Sequence, residues 1–174
     1  MLAVGAVALT TGCTSTVSGT GSAVDSAPAA TASSASAEVR ITRGGGCGNA
    51  LFWATSADLQ AVVVVRADGS GRDAGRPTTI PFTLPDPDVR VDVYLGPDLQ
   101  VGTCSDEEVP EDERSEPQGA AAGTGEIVLD PPADPDDADC GVTGQLEITG
   151  LVAEDGTTFG PISVTTDDIG CYAG

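Results

Sequence analysis

Four of the five cysteines stand far along the chain and could form disulfides or a metal site: Cys47, Cys104, Cys140 and Cys171. Structural zinc sites use closely spaced Cys and His ligands. The sequence contains no Cys-X-X-Cys pair and no His, so zinc is disfavoured. An even set of widely spaced cysteines is typical of structural disulfides in exported proteins. We therefore predict two disulfides.

The strand pattern favours one of the three possible disulfide connectivities. Cys140 and Cys171 stand at almost equal distances from the turn signal Glu154-Asp155-Gly156. If strands flank this turn as a hairpin, the open end of the hairpin brings the two cysteines together. Cys47 would then pair with Cys104 by elimination. The preferred prediction is Cys47–Cys104 with Cys140–Cys171, and the other two connectivities stay open.

Carboxylates are the second group of residues that could do chemistry, and calcium is the ion that their oxygens suit best. The densest run contains Asp134, Asp136, Asp137 and Asp139. It does not follow the EF-hand pattern, because Ala138 stands at the fifth position of such a loop and Asp139 replaces the glycine at the sixth. A solvated acidic loop is the preferred interpretation, with weak calcium binding as the alternative. No other cofactor is predicted.

The sequence predicts no catalytic residue. Without His, the usual Ser-His-Asp and Cys-His nucleophile systems are excluded, and no Gly-X-Ser-X-Gly elbow occurs. Paired carboxylates could hydrolyse a glycosidic bond. Sugar clefts also need aromatic side chains, and only Trp53, Tyr94 and Tyr172 are available. A small carboxylate-based hydrolase is therefore an alternative hypothesis, which requires two carboxylates in a cleft beside Tyr94 or Trp53.

Cys13 stands apart from the other cysteines, directly after an apolar N-terminal run. The residues before it are Leu9-Thr10-Thr11-Gly12, and this arrangement resembles the lipobox of bacterial lipoproteins. Thr10 occupies the position at which that family favours Leu. The resemblance implies that residues 1–12 are a signal peptide and that Cys13 carries the lipid, with palmitate-type acyl chains holding the protein at the extracytoplasmic face of the cell membrane. Two or more acyl chains give stable anchoring.

Residues 13–37 are predicted to form a flexible tether behind the lipid. Ser, Thr, Ala and Gly dominate this segment, which cannot bury enough apolar surface to offset the entropy lost on ordering. As a flexible coil, it would span about 27 Å on average. Residues 38–174 are enough for one domain with a hydrophobic core.

The chain is strongly acidic, with 7 Arg, no Lys and 27 acidic residues, for a net charge of −20. Thirteen of the acidic residues lie between residues 104 and 140, with Arg114 as the one basic residue there. Nucleic acid is excluded as a partner by this charge, because binding to phosphate backbones requires Lys and Arg. Adsorption of the domain to anionic lipid is disfavoured for the same reason.

Alternating apolar and polar residues predict strands at 89–95, 142–152 and 158–166. A β-branched run at 61–66 predicts a central strand with 51–55 as its hairpin partner, and 125–129 adds another strand. Thr78–Leu84 is predicted as an edge strand because Pro81 lacks an N–H donor. The glycine run 44–48 is expected to be a turn, and 105–122 a long acidic loop.

These strands predict an all-β domain over residues 38–174, either an antiparallel two-sheet sandwich of immunoglobulin-like shape or a small β-barrel. The function predicted from the sequence is a non-catalytic binding or scaffolding module of the cell envelope. Its partner would be an envelope protein or a small ligand, and a monomer is expected. The alternatives are the calcium-binding adhesive or structural module and the hydrolase.

Overall fold

The computed structural model describes residues 37–68, 76–104, 109–130 and 142–170. All eight regular elements in these residues are strands: β1 (Ile41–Cys47), β2 (Leu51–Ser56), β3 (Ala61–Ala67), β4 (Thr78–Leu84), β5 (Val89–Leu95), β6 (Gln118–Asp130), β7 (Val142–Ala153) and β8 (Ile162–Ile169). The described residues contain no helix long and apolar enough to cross a membrane.

The strands form one antiparallel sheet in the order β1-β2-β3-β5-β6-β7-β8. β4 lies off this path and pairs with β6 along its whole length. The pairing of β5 with β6 is short, because it is confined to Asp92 with Gly119 and Val93 with Gln118. The long strand β6 therefore joins two groups of strands, and its remaining residues pair with β4 and β7.

The first and last strands approach each other and nearly close the sheet into a barrel. Parallel bridges join Val39 to Phe159 and Gly48 to Ile169, one beyond each end of β1. The amide of Gly170 donates to the carbonyl of Gly48 at 2.7 Å. The all-β prediction is confirmed, and the nearly closed sheet fits the barrel alternative rather than the two separate sheets of a sandwich.

The glycine run explains how β1 can lie so close to β8. A Cβ atom on Gly44 would come within 2.4 Å of the Val164 side chain, and one on Gly46 would lie 2.8 Å from the Ile169 side chain. The prediction of a turn at 44–48 is therefore wrong for Gly44–Gly46, which lie inside β1. Here glycine permits a close approach between strands and does not reverse the chain.

The other strand predictions are largely confirmed. The 51–55 and 61–66 hairpin is β2–β3, the hairpin around Asp155 is β7–β8, and Thr78–Leu84 is β4, whose described pairing is with β6. The loop predicted at 105–122 is wrong at its end, because β6 begins at Gln118. Its residues 118–122 contain Gly and Ala in place of β-branched residues, so their strand state comes from pairing with neighbours and not from propensity.

The core lies inside the barrel and is built chiefly from aliphatic side chains. Its two fully buried aromatic residues are Phe52 of β2 and Phe159 of the segment between β7 and β8. Aliphatic residues around them come from the five strands β3, β5, β6, β7 and β8: Val63, Val65, Val91, Val93, Ile127, Leu146, Ile148, Ile162 and Val164. The side chains on the outward faces of β2, β3 and β5 lie outside this core.

Candidate functional site

A buried carboxylate lies on the outward face of β5, between two arginines. Asp92 Oδ2 accepts a hydrogen bond from Arg66 Nη1 at 2.5 Å, and Asp92 Oδ1 accepts one from Arg90 Nε at 2.8 Å. The side chain of Asp92 is only 6% exposed, whereas Arg66 and Arg90 are 41% and 71% exposed. Both oxygens of the buried charge are thus bonded, as a desolvated carboxylate requires.

Strand register brings these three residues together. Arg66 of β3 lies directly opposite Arg90 of β5, and Asp92 follows two positions later on the same face. Like charges directly opposite each other destabilise a sheet, so the carboxylate offsets a repulsion that the register creates. The hydrogen bond from Arg90, and then the negative charge of Asp92, raise the pKa of the Arg90 guanidinium above its usual value.

Arg90 and Asp92 also line a crevice of about 420 Å³ between β5 and β6. The β5–β6 crevice exists because β6 leaves β5 after Gly119 and turns toward β4 and β7. Its walls are the turn before β5 and the start of β6, and its main apolar residues are Leu84, Pro85, Pro87, Pro117 and Ala120. A volume of this size is in the range of small-molecule sites.

A second, larger depression of about 620 Å³ lies at one end of the barrel, where the chain enters β1 beside the β2–β3 turn. Hydrogen bonds from the Ser56 hydroxyl and then the Gln60 amide lower the pKa of Asp58 in this turn. Leu59 next to it is 55% exposed and has a φ of 60°, which is rare for a residue other than glycine. The charged residues of this depression are Glu38, Arg40 and Asp58.

The Cys47–Cys104 disulfide predicted from the sequence is present and joins residues 57 positions apart. Leu95 pairs with Ala61 at one end of the sheet, whereas Cys47 pairs with Leu51 at the other end. The segment 96–104 must therefore run along the outward face to reach β1. It crosses the region in which Val64 and Tyr94 are buried outside the main core.

The other predicted site residues lie outside the described residues. They are Cys13, Cys140, Cys171, Asp134, Asp136, Asp137 and Asp139. Among the described residues, no group of three or more Cys, Asp or Glu side chains is placed to hold a metal ion. The calcium hypothesis therefore stays a prediction about residues 134–139.

Trp53 and Tyr94, which the hydrolase hypothesis requires beside a pair of carboxylates, lie on the same outward face as Asp92. Tyr172 lies outside the described residues. Trp53 is half-buried, and its ring covers Gly45 of the neighbouring strand, so that a Cβ atom there would come within 2.9 Å of the ring. Tyr94 is buried. The carboxylate nearest to Tyr94 along β5 is Asp92, which is bonded to two guanidiniums and not paired with a second carboxylate.

The cluster of Arg66, Arg90 and Asp92 is not among the sites predicted from the sequence. The alternation in β5 does put Arg90 and Asp92 on its polar face, so part of the signal is visible. What the sequence does not contain is the register that sets Arg66 of β3 opposite Arg90.

Comparison with known proteins identifies no relative: no family, no curated protein and no solved structure matches this chain.

Proposed function

We propose that the chain is an exported, lipid-anchored protein of the cell envelope that presents the barrel as a non-catalytic binding or scaffolding module. The lipid would be attached to Cys13, and residues 13–37 would connect it to the barrel at the extracytoplasmic face of the cell membrane. The lipobox-like residues before Cys13 support the anchor. The acidic composition supports a partner other than nucleic acid.

The observation that most supports export is the Cys47–Cys104 disulfide. Such bonds persist in oxidising compartments and are rare in reducing ones. This bridge fixes a long segment across the outward face, so the fold makes structural use of it. The register of the β7–β8 hairpin, which pairs Val142 with Ile169, also supports the predicted bond between Cys140 and Cys171, each of which lies two residues beyond that pair.

The β5–β6 crevice is our candidate for the binding site of this module. It combines a few apolar side chains with the charged groups of Arg90 and Asp92, which is the composition expected of a small-ligand site. The ion pairs with Asp92 hold the charged part of the site in place before any ligand arrives. We expect the module to act as a monomer, with a small ligand or an envelope protein as its partner.

The experiment that tests the anchor is the intact mass of the full chain recovered from its own membranes. Wild type is compared with Cys13→Ala, and the double variant Cys47→Ser/Cys104→Ser serves as a matched control that keeps Cys13. We expect a chain that starts at Cys13 with added acyl mass in wild type and in the control, but not in Cys13→Ala. Reduction should add two hydrogens for each disulfide.

A soluble wild-type chain without acyl mass would contradict the proposal that Cys13 is an anchor. Retention of Cys13→Ala in the membrane fraction would show that something other than the lipid holds the protein. The double variant retains every residue before 47. Loss of its acyl mass would therefore show that a folding defect prevents lipid attachment.

A further inference from the structure

We propose that the β5–β6 crevice binds a small organic monocarboxylate, with the ligand carboxylate on the Arg90 guanidinium and its apolar part inside the crevice. This inference deepens the proposed function of a binding module, because it names the chemical class of the ligand. It rests on three features of the described residues: the free edge of Arg90, the apolar wall of the crevice and the acidic groups at its rim.

The first feature is the way in which Arg90 contacts Asp92. Only Nε of Arg90 donates to the carboxylate, and no described residue bonds to Nη1 or Nη2. These two nitrogens form the edge of the guanidinium that binds a carboxylate in a bidentate manner. The side chain is 71% exposed, so a ligand can reach this edge from solvent.

The second feature is that Arg90 is already held in position. Its Nε is fixed by Asp92, and Asp92 is fixed on its other oxygen by Arg66. A free arginine loses considerable side-chain freedom when it binds a ligand, and prior ordering reduces that cost.

The third feature is the composition of the crevice beside Arg90. Three prolines and Ala120 contribute apolar atoms to a space of about 420 Å³, whose lining is divided about equally between apolar and polar groups. A carboxylate without an apolar part would leave these apolar atoms uncovered. The burial of a short alkyl or aryl group there adds affinity, because apolar surface is removed from water.

The acidic groups around the crevice limit the ligand to one negative charge. Asp86 lines it, and its carboxylate accepts hydrogen bonds from the amides of Asp88 and Val89 at 2.9 and 3.0 Å. Asp88 is exposed in the same turn. Together with the overall charge of −20, these two carboxylates would repel a phosphate or a polyanion.

The test measures binding of three probes to the full chain by the chemical shifts of backbone amides, above all those of Gly119 and Ala120. Hexanoate has both the carboxylate and the apolar part, acetate has only the carboxylate, and hexanamide has only the apolar part with a neutral head. We expect saturable binding of hexanoate, with acetate and hexanamide each at least about tenfold weaker.

The matched variants are Arg90→Gln and Arg43→Gln, which remove the same charge from exposed positions on different strands. Arg90→Gln should weaken hexanoate binding about tenfold, and Arg43→Gln should leave it unchanged. Arg90→Lys keeps the charge and loses the bidentate edge, so it should show an intermediate loss. If Arg90→Gln fails to fold, as judged by thermal unfolding, the comparison of Arg90→Lys with wild type decides.

Equal hexanoate affinity in wild type and Arg90→Gln, or in wild type and Arg90→Lys if the first variant does not fold, would overturn the proposal. Equal affinity for hexanoate and hexanamide would also overturn it, because the carboxylate would then not be recognised. Equal affinity for hexanoate and acetate would overturn it as well, because the crevice would then not bind the apolar part of the ligand. None of these results depends on Cys13, so failure of the carboxylate site and failure of the lipid anchor remain distinguishable.

Discussion

Asp92 is a charged residue in a position where a charge is costly unless it is bonded. Its side chain is almost fully buried, and its two oxygens are bonded to different arginines. We predict that Asp92→Asn destabilises the protein by about 1–3 kcal/mol, because the charge that offsets the Arg66–Arg90 repulsion is lost. The measurement is the free energy of unfolding from urea titrations.

The control for this substitution is Asp112→Asn, which makes the same chemical change at an exposed carboxylate with no ion pair among the described residues. It should change the free energy of unfolding by less than about 0.5 kcal/mol. An Asp92→Asn variant as stable as this control would show that the repulsion between the two arginines is negligible at their actual exposure.

Asp155 provides a prediction about pH at the turn between β7 and β8. The backbone amide of Thr157 donates to its carboxylate at 2.9 Å, and this bond, followed by bonds from the Thr157 hydroxyl and Gln118, lowers the pKa of Asp155. The unfolded chain therefore takes up this proton at a higher pH than the folded one. The stability that Asp155 contributes is present above the unfolded pKa and is lost as the pH falls through the folded pKa.

We therefore expect Asp155→Asn to lower the melting temperature slightly at about pH 6. This effect should shrink as the pH falls through the folded pKa of Asp155, which lies below the usual value for an aspartate. Asparagine can keep the shape of the turn, so the comparison isolates the charge. A difference between wild type and variant that stays constant over this pH range would assign the effect to geometry and not to ionisation.

At the scale of single elements, β1 depends on its glycines for contact with its neighbours. A Cβ atom on Gly46 would lie 2.7 Å from the carbonyl oxygen of Leu51 and within 2.9 Å of side chains in β8. The carbonyl belongs to the paired strand β2 and cannot move freely. Gly46→Ala should destabilise the protein by about 1–3 kcal/mol through overpacking, measured by urea unfolding.

Gly102→Ala is the matched control, because a Cβ atom there meets nothing within 4 Å. This change should be neutral or slightly stabilising, since it reduces the freedom of the unfolded chain. If Gly46→Ala were as stable as Gly102→Ala, the closure between β1 and β8 would have to be loose enough to admit a methyl group.

The strands also show what can and cannot be predicted from the sequence. β5, β7 and β8 are visible because one face is buried, so that apolar residues recur at every second position. β1 and the first part of β6 are not visible, because their small residues allow close packing that depends on strands distant in sequence. The Cys47–Cys104 pair could be predicted by elimination, after a hairpin argument for Cys140 and Cys171, whereas the Arg66–Arg90–Asp92 cluster required the register between β3 and β5.

At the scale of the whole molecule, the charge is the dominant feature. A net charge of −20 on 174 residues makes the folded state repel itself, while the ion pairs with Asp92 oppose this only locally. Repulsion between exposed charges is screened by salt, with a Debye length of about 10 Å at 0.1 M. The partly buried Arg–Asp contacts are screened much less, so salt should remove more repulsion than attraction.

We therefore predict that the melting temperature rises as NaCl is increased from about 0.02 M to about 0.3 M, because screening stabilises the compact state. Tetramethylammonium chloride at the same ionic strength should give the same shift, since screening does not depend on the identity of the cation. CaCl₂ at matched ionic strength separates screening from binding. A further rise that is concentration-dependent and reversed by a chelator would support the calcium hypothesis for residues 134–139, whereas a melting temperature that falls with NaCl would contradict the dominance of self-repulsion.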